Sequence, residues 1–215
     1  MLALWNKYHM LYIRGVGYTV VLSLISLIIS VLLGVVINRL KESKIKIVSY
    51  LATAYIELLR GTPLFVQMYI FYFGPTLLFE IDLSPFVGGL IAVSLNSSAY
   101  VAEIIRGGIQ SVDPGQTEAG RSLGLTESQT MMKIIYPQAM KNILPSLGNE
   151  FISLIKETAI VSSIGVTDIM YGAKTAVAAT YKVSGYMIAA GLYFVLTFTL
   201  SKILKVFERS LQHDS

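Results

Sequence analysis

The chain has 215 residues, of which 54% are hydrophobic and only 14% charged. Soluble domains carry about a quarter charged residues, so the composition excludes an ordinary soluble protein and reads as an integral membrane protein. The length suits a single domain of about five or six helices at about 20 residues per span. The net charge of +4 is accounted for by loop orientation, argued below, and gives no reason to invoke nucleic acid. There is no cysteine, which excludes disulfides and thiolate metal sites. The two histidines, His9 and His213, lie apart near the termini and make a poor metal site.

Met1 to Gly15 is short and amphipathic, with Trp5, Tyr8 and Tyr12 among polar residues. Aromatic rings favour the headgroup region, so this segment is expected to lie at the membrane interface. Lys7 and Arg14 before an apolar run are signal-like, but Val16–Ile37 is too long for the apolar region of a signal and no small-residue cleavage site follows. The run is read as a retained first span, with Ser23, Ser26 and Ser30 as a small stripe suited to helix contact. Arg39, Lys41, Lys44 and Lys46 follow directly and mark a cytoplasmic side.

The apolar region from Ile47 to Phe79 exceeds one straight span and is interrupted at Arg60-Gly61-Thr62-Pro63, where a kink or split is expected and the freed backbone groups need partners inside the protein. A short external loop, Phe79 to Pro85, carries no basic residue. A third run, Phe86 to Ala102, holds Asn96, Ser97 and Ser98 and leads to Glu103. Asn142 to Thr167 is a less apolar span containing Asn149, Glu150, Lys156 and Glu157. Gly165 to Ser184 is mixed, with external helical structure expected. Val183 to Ser201 is the last uncharged run, ended by Lys202, Lys205 and Arg209. No internal repeat or low-complexity segment is evident.

The polar stretch from Asp113 to Pro137 is unlike a linker, because it carries helix signals. Asp113, Pro114 and Gln116 supply an N-cap, a proline at the first helical position and a capping-box partner. Gly124 fits a helix stop. Thr126 with Gln129 offers a second capping box, Met131, Ile134 and Ile135 share one face, and Pro137 interrupts that run. Two short helices around a glycine corner are predicted. A rigid, capped element of this kind in a membrane protein suggests a docking partner.

Glu118-Ala119-Gly120, Gly124, and then Ile134-Ile135-Tyr136-Pro137 resemble the EAA loop of ABC importer permeases. That pattern is E-A-A, three residues, G, nine residues and I-x-L-P; this chain departs at Gly120, where alanine is expected, and at Tyr136, where leucine is expected. Glu57 to Leu64 with Gln67, the run SAYVAEIIRGGI, and GNEFISLIKET are similar to the amino-acid branch of these permeases, of the arginine, histidine and glutamine type. The resemblance extends from about Tyr18 to the C-terminus. It implies an all-α integral membrane fold of the type I importer kind with a five-helix core. It also implies two permease subunits around one pathway, with a homodimer favoured, an ABC ATPase on the cytoplasmic side, and an external substrate-binding protein. Glu118, Ala119, Gly120, Gly124 and Pro137 are implied as the ATPase-coupling residues, with Ala119 and Gly120 allowing close approach.

The expected organisation is one transmembrane permease domain over 1–215, with spans at about 16–38, 47–79 (broken near 60–63), 84–106, 140–163 and 183–204, and a cytoplasmic coupling loop at 113–137. With the N-terminus outside and the C-terminus cytoplasmic, the inner segments hold Arg39, Lys41, Lys44, Lys46, Arg106, Arg121, Lys133, Lys141, Lys202, Lys205 and Arg209. The outer segments hold Lys7, Arg14, Lys174 and Lys182. This bias obeys the positive-inside rule and puts the capped stretch in the cytoplasm, and the resemblance implies the cytoplasmic membrane of a prokaryote.

Charges at membrane depth usually pair with each other or mark a pathway. Arg60, Gln67, Asn96, Glu103 and Glu150 are the candidate substrate contacts, with Arg60 near a substrate carboxylate. The competing expectations are an Arg60–Glu57 pair, a Glu103–Arg106 pair, interhelical hydrogen bonding by Asn96, Ser97 and Ser98, and a structural Lys156–Glu157 pair at a subunit interface. No GxxxxGK[ST] loop occurs, so the chain is expected to be non-catalytic, with ATP and magnesium bound by the partner ATPase and no cofactor or metal of its own. The function expected is ATP-driven import of polar amino acids, leaning to basic ones, by alternating access. A channel or ATP-independent carrier would lack a use for the capped pair, and a membrane scaffold would have no need of the broken, charged spans.

Overall fold

A computed structural model describes the chain from Met1 to His213; the side chains of residues 211–213, that of His213 among them, lie outside the description. The described chain is helical throughout, with short connections. Helix α1 runs from Leu2 to Lys41. Its 40 residues span about 60 Å at 1.5 Å per residue, so the expected interfacial segment and the first span are one continuous helix. The reason is packing. The start of α1 is tied to the bundle: Leu4 and Tyr12 are buried against Ile169, Ala173, Ala176 and Ala189, and the Tyr12 hydroxyl donates to the Gly185 carbonyl at 2.9 Å.

Helix α2 (Lys46–Gly61) and helix α3 (Leu64–Phe79) are separated at Thr62-Pro63 and inclined at 112°. Pro63 cannot donate a backbone hydrogen bond, and Thr62 before it takes the extended conformation that a following proline favours. Helix α4 (Pro85–Gln110) starts at the Ser84 N-cap and is the central element. Gly88, Gly89, Ala92, Ser94, Ser97, Ser98, Ala99 and Ala102 keep its surface small, so neighbouring helices approach closely on several sides. At Gly34 of α1, a β-carbon would meet the Val101 side chain of α4 at 2.6 Å, so that crossing depends on glycine.

Beyond α4 come α5 (Pro114–Ser122), α6 (Glu127–Thr130), a π-turn (Met131–Ile135) and α7 (Tyr136–Glu157). A 3-10 segment (Thr158–Ile164), α8 (Ile169–Thr180) and α9 (Ser184–His213) complete the chain. The helical structure expected before the last span is α8. One apolar core joins Leu22, Met68, Ala92, Val93, Leu154, Val161, Ile164 and Val166 from α1, α3, α4, α7 and the turn that follows.

Among the described residues three helices, α1, α4 and α9, are each long and apolar enough to cross a bilayer, and the bent pair α2–α3 makes a fourth when its two halves are counted as one broken span. Helix α7 is not among them. Asn149, Glu150, Lys156 and Glu157 dilute its apolar surface, and its α-helical part ends at Glu157 rather than continuing to 163.

Candidate functional site: a capped corner and a polar seam

The capped stretch folds as local hydrogen-bonding rules dictate at nearly every position. The Asp113 side chain accepts from the Gly115 amide at 2.7 Å, and Pro114 opens α5. The Gln116 side chain lies against Gln138 rather than returning to the cap. At the other end Gly124 adopts φ +79°, a left-handed conformation that costs a side-chain-bearing residue about 1–2 kcal/mol. There the Gly124 amide donates to Arg121 at 3.0 Å and the Leu125 amide to Gly120 at 3.2 Å, the paired closure of a Schellman ending. The Thr126–Gln129 capping box forms in both directions, at 3.2 and 2.9 Å.

Two further details differ from expectation. Pro137 does not interrupt the second helix. The π-turn, in which the Tyr136 amide donates to Met131, widens the ladder so that the proline ring and its missing N–H are tolerated, and the helix continues into α7. Gly120 is buried and faces its own chain: a β-carbon there would lie 2.8 Å from Thr130 and 2.9 Å from Ile134. Its lack of a side chain lets α5 pack on the next segment, whereas Glu118 and Ala119 are exposed. Sequence reading passed over Leu123, which is 81% exposed at the tip of the corner, and Met132, also exposed. The signal available was an apolar residue beside a capped glycine turn. A cavity of about 520 Å³ lies between Arg39 and Glu42 at the end of α1 and Thr126, Glu127 and Ser128 of the corner.

Three groups of polar residues join the helices around the α2–α3 break and along α4. At the α2–α3 break, the Gln67 amide donates to the Leu59 carbonyl at 2.8 Å and to Thr62 at 2.7 and 3.1 Å. The Asn96 amide donates to the same Leu59 carbonyl at 3.1 Å and to the Gln67 oxygen at 2.9 Å. Gln67 and Asn96 are 3% and 5% exposed, and they satisfy backbone carbonyls that the break leaves without helical partners.

Next to this node, Glu103 draws cations from three helices. Lys41 donates to it at 2.6 Å, and Arg106 through two nitrogens at 2.7 and 3.1 Å. Arg60 approaches to 3.7 Å while stacking over Tyr100, 5.3 Å from the ring centre. The expected Glu103–Arg106 pair is present. The partner of Arg60 is Glu103 rather than Glu57, because the end of α2 turns its guanidinium towards α4. In the third group, Ser97 of α4 donates to Glu150 of α7 at 2.6 Å. Lys156 and Glu157 are exposed at the end of α7.

Asp168, also missed from sequence, is 1% exposed. It caps α8 through the Tyr171 amide at 2.8 Å and accepts from the Tyr193 hydroxyl at 3.0 Å. Burial pushes its carboxyl up to about 6, against the opposing pull of these hydrogen bonds and of Lys174. Among the described residues no cluster of three or more acidic or histidine side chains has the arrangement of a metal site.

Residues 30–213 match the family described as binding-protein-dependent transport system inner membrane component. The chain is 42% identical over 203 residues to the arginine transport system permease protein ArtQ of Bacillus subtilis (strain 168), covering 94% of this chain and 93% of that protein. It is 36% identical to the nopaline transport system permease protein NocM of Agrobacterium fabrum, covering 91% and 86%. A crystal structure of an amino acid ABC transporter with histidines superposes with a TM-score of 0.91 at 49% identity, covering 95% of this chain and 96% of that one. The MetNI methionine ABC transporter, at 15% identity and a TM-score of 0.79, shares the fold. With the family matched over most of its length and its relatives permeases of amino-acid ABC transporters, this multi-pass membrane chain belongs to the binding-protein-dependent transport system inner membrane component family.

Proposed function

We propose that the chain is the transmembrane subunit of an ATP-driven importer that carries polar, preferentially basic, amino acids across a prokaryotic cytoplasmic membrane by alternating access. The observation that carries the reading is the exposed corner. Glu118, Ala119 and Leu123 stand out on an element closed by two capping systems and a left-handed glycine, which suits a rigid plug for the groove of a separate ATPase. ATP and magnesium belong to that partner, since this chain lacks a phosphate-binding loop. Pro137 and the π-turn join the plug to α7 without a flexible joint, so movement of the ATPases reaches the bundle directly.

The proposed topology has five spans, with α7 as the fourth, the N-terminus outside and the C-terminus inside. Helix α7 is too polar to face lipid at Asn149, Lys156 and Glu157, all exposed, and uncovered charges at membrane depth are costly. A second permease copy covering this face removes that cost, and the adjacent opposite charges of Lys156 and Glu157 are self-complementary, as a symmetric pair requires. The substrate pathway then runs along the polar seam. Glu150 keeps acceptor capacity for a cationic substrate after accepting from Ser97. Arg60, whose guanidinium is half exposed, suits a carboxylate. Gln67 and Asn96 hold the break that presents it, and Glu103 fixes the surrounding charges. The basic preference draws on Glu150 and Glu157 and on relatives named for arginine and histidine. An external binding protein delivers the substrate.

The test is ATP hydrolysis by the chain reconstituted in lipid with its cognate ATPase and binding protein, titrated with a panel of amino acids. Stimulation by arginine, lysine or histidine is expected. Stimulation by another amino acid alone would remove the basic preference, and failure to associate with any ATPase would return a channel or carrier to first place.

A further inference from the structure

Arg14, Gly17, Tyr18 and Val21 of α1 meet Phe86 of α4 around an open groove of about 490 Å³. Tyr18 and Val21 are exposed, so the groove opens on the outside of the bundle, away from the polar seam. The rings of Tyr18 and Phe86 meet edge to face at 6.2 Å and form its aromatic wall. Gly17 keeps it open: a β-carbon there would meet nothing within 4 Å, and a larger side chain would occupy the free space. The one charge on the groove, Arg14, makes no ion pair or side-chain hydrogen bond with a described residue.

Depth along α1 indicates what this arrangement meets. Arg14 and Arg39 bracket an uncharged helical run and stand about 38 Å apart at 1.5 Å per residue. A bilayer measures about 30 Å across its hydrocarbon and about 40–45 Å with its headgroups. Arg14 therefore sits at headgroup level when α1 spans, and the groove descends from it over about 10 Å into the acyl region. An unpaired guanidinium at phosphate level, above an apolar channel, is complementary to one molecule type. The planar fork of arginine matches phosphate oxygens bidentately.

We propose that this groove is a binding site for an anionic phospholipid, with its phosphate on Arg14 and an acyl chain along Gly17, Tyr18, Val21 and Phe86. A zwitterionic headgroup carries its own cation beside the phosphate, so Arg14 favours an anionic lipid by about fivefold. The site pins α1 to the start of α4 from the lipid side.

The sequence supplies a clean reporter system, because Trp5 is the sole tryptophan. In a Trp5→Phe background, Phe86→Trp puts one fluorophore in the groove wall, and Tyr18→Trp gives an independent second reporter should the first disturb folding. The full chain is reconstituted in phosphatidylcholine vesicles with a minor fraction of acyl-brominated phosphatidylglycerol, or the same fraction of acyl-brominated phosphatidylcholine. Apparent affinity from quenching by the anionic lipid should exceed that from the zwitterionic one about fivefold, and Arg14→Ala should abolish the difference. Equal quenching by both lipids would reduce the groove to ordinary annular contact and overturn the proposal. No quenching by either would mean that protein covers the groove, which also overturns it. Selectivity surviving Arg14→Ala would remove the headgroup assignment. None of these readouts depends on ATP, substrate or an ATPase, so their outcome stands apart from that of the transport reading.

Discussion

Asn96 of α4 and Gln67 of α3 are joined through their side-chain amides at 2.9 Å, and both donate to the one carbonyl of Leu59 at the end of α2. Three helices thus meet at a single backbone oxygen freed by the break at Thr62-Pro63. Hydrogen bonds between membrane helices average about 0.6 kcal/mol and reach about 1.7. Because the two side chains share an acceptor, Gln67→Ala and Asn96→Ala should each destabilise the protein by about 1 kcal/mol, and the double variant by clearly less than the sum. Thermal unfolding in lipid nanodiscs measures this. Strict additivity would mean that the two amides act separately. Should both variants transport with unchanged substrate dependence once folded, neither side chain meets substrate.

Glu103 holds Lys41 and Arg106 by direct hydrogen bonds and Arg60 only at 3.7 Å. Glu103→Gln leaves three cations without their shared carboxylate and should cost the most, roughly 2–3 kcal/mol in a partly buried setting. Lys41→Met and Arg106→Met should each cost less, because the other cation still neutralises Glu103. Arg60→Met should change stability by under about 0.5 kcal/mol while lowering transport, if its guanidinium serves substrate. The order of unfolding temperatures, set beside uptake rates, tests both roles of the cluster. A large stability loss for Arg60→Met would make it structural.

Asp168 carries the pH dependence of the α1–α8–α9 junction. Its carboxyl, ordinarily near 3.8, is pushed up to about 6 by burial. The unfolded chain therefore releases this proton at lower pH than the folded chain does. Below about pH 4 the group is protonated in both states and costs nothing. As pH rises from 4 to 6 the folded state becomes progressively penalised, and above 6 the penalty is complete at about 3 kcal/mol. Asp168→Asn keeps an oxygen to cap α8 and cannot ionise. Relative to this variant, the wild-type protein should lose thermal stability between pH 4 and 6 and change no further above 6. A constant difference across that range would show that Asp168 does not titrate there.

The corner was legible because its determinants are local. Asp113 with Pro114, and Thr126 with Gln129, act over one to three residues, and Gly124 answers for its own backbone. The break at Thr62-Pro63 was legible for the same reason. Partners across the bundle were not, since nothing near Arg60 in sequence points to Glu103, and the adjacent Glu57 offered a plausible local alternative. The length of α1 was hidden because Trp5, Tyr8 and Tyr12 form an amphipathic pattern that suits either an interface or a groove between α8 and α9. Pro137 misled because a proline normally ends a helix, and the π-turn that accommodates it has no composition signal of its own. Gly120 read as a departure from the E-A-A pattern, yet the 2.8 Å approach to Thr130 explains why a glycine suits this corner.

Gly124 and Leu123 separate the shape of the corner from its surface. At φ +79°, Gly124→Val meets the left-handed penalty of about 1–2 kcal/mol per residue, with β-branching adding to it, and the Schellman closure should open. Gly124→Asn should largely be tolerated, because asparagine enters this conformation readily. Leu123→Asp leaves the backbone intact and replaces only the exposed apolar tip. In reconstituted complexes, Gly124→Val should keep membrane insertion but let ATP hydrolysis proceed without matching uptake. Leu123→Asp should weaken capture of the ATPase itself, by about 1.5–3 kcal/mol if the side chain is fully buried in the partner's groove. Uptake per ATP distinguishes the two failures, because the first lowers the ratio and the second lowers the amount of complex. Normal coupling in Gly124→Val together with normal ATPase capture by Leu123→Asp would take the coupling role away from this corner, whatever the bundle transports.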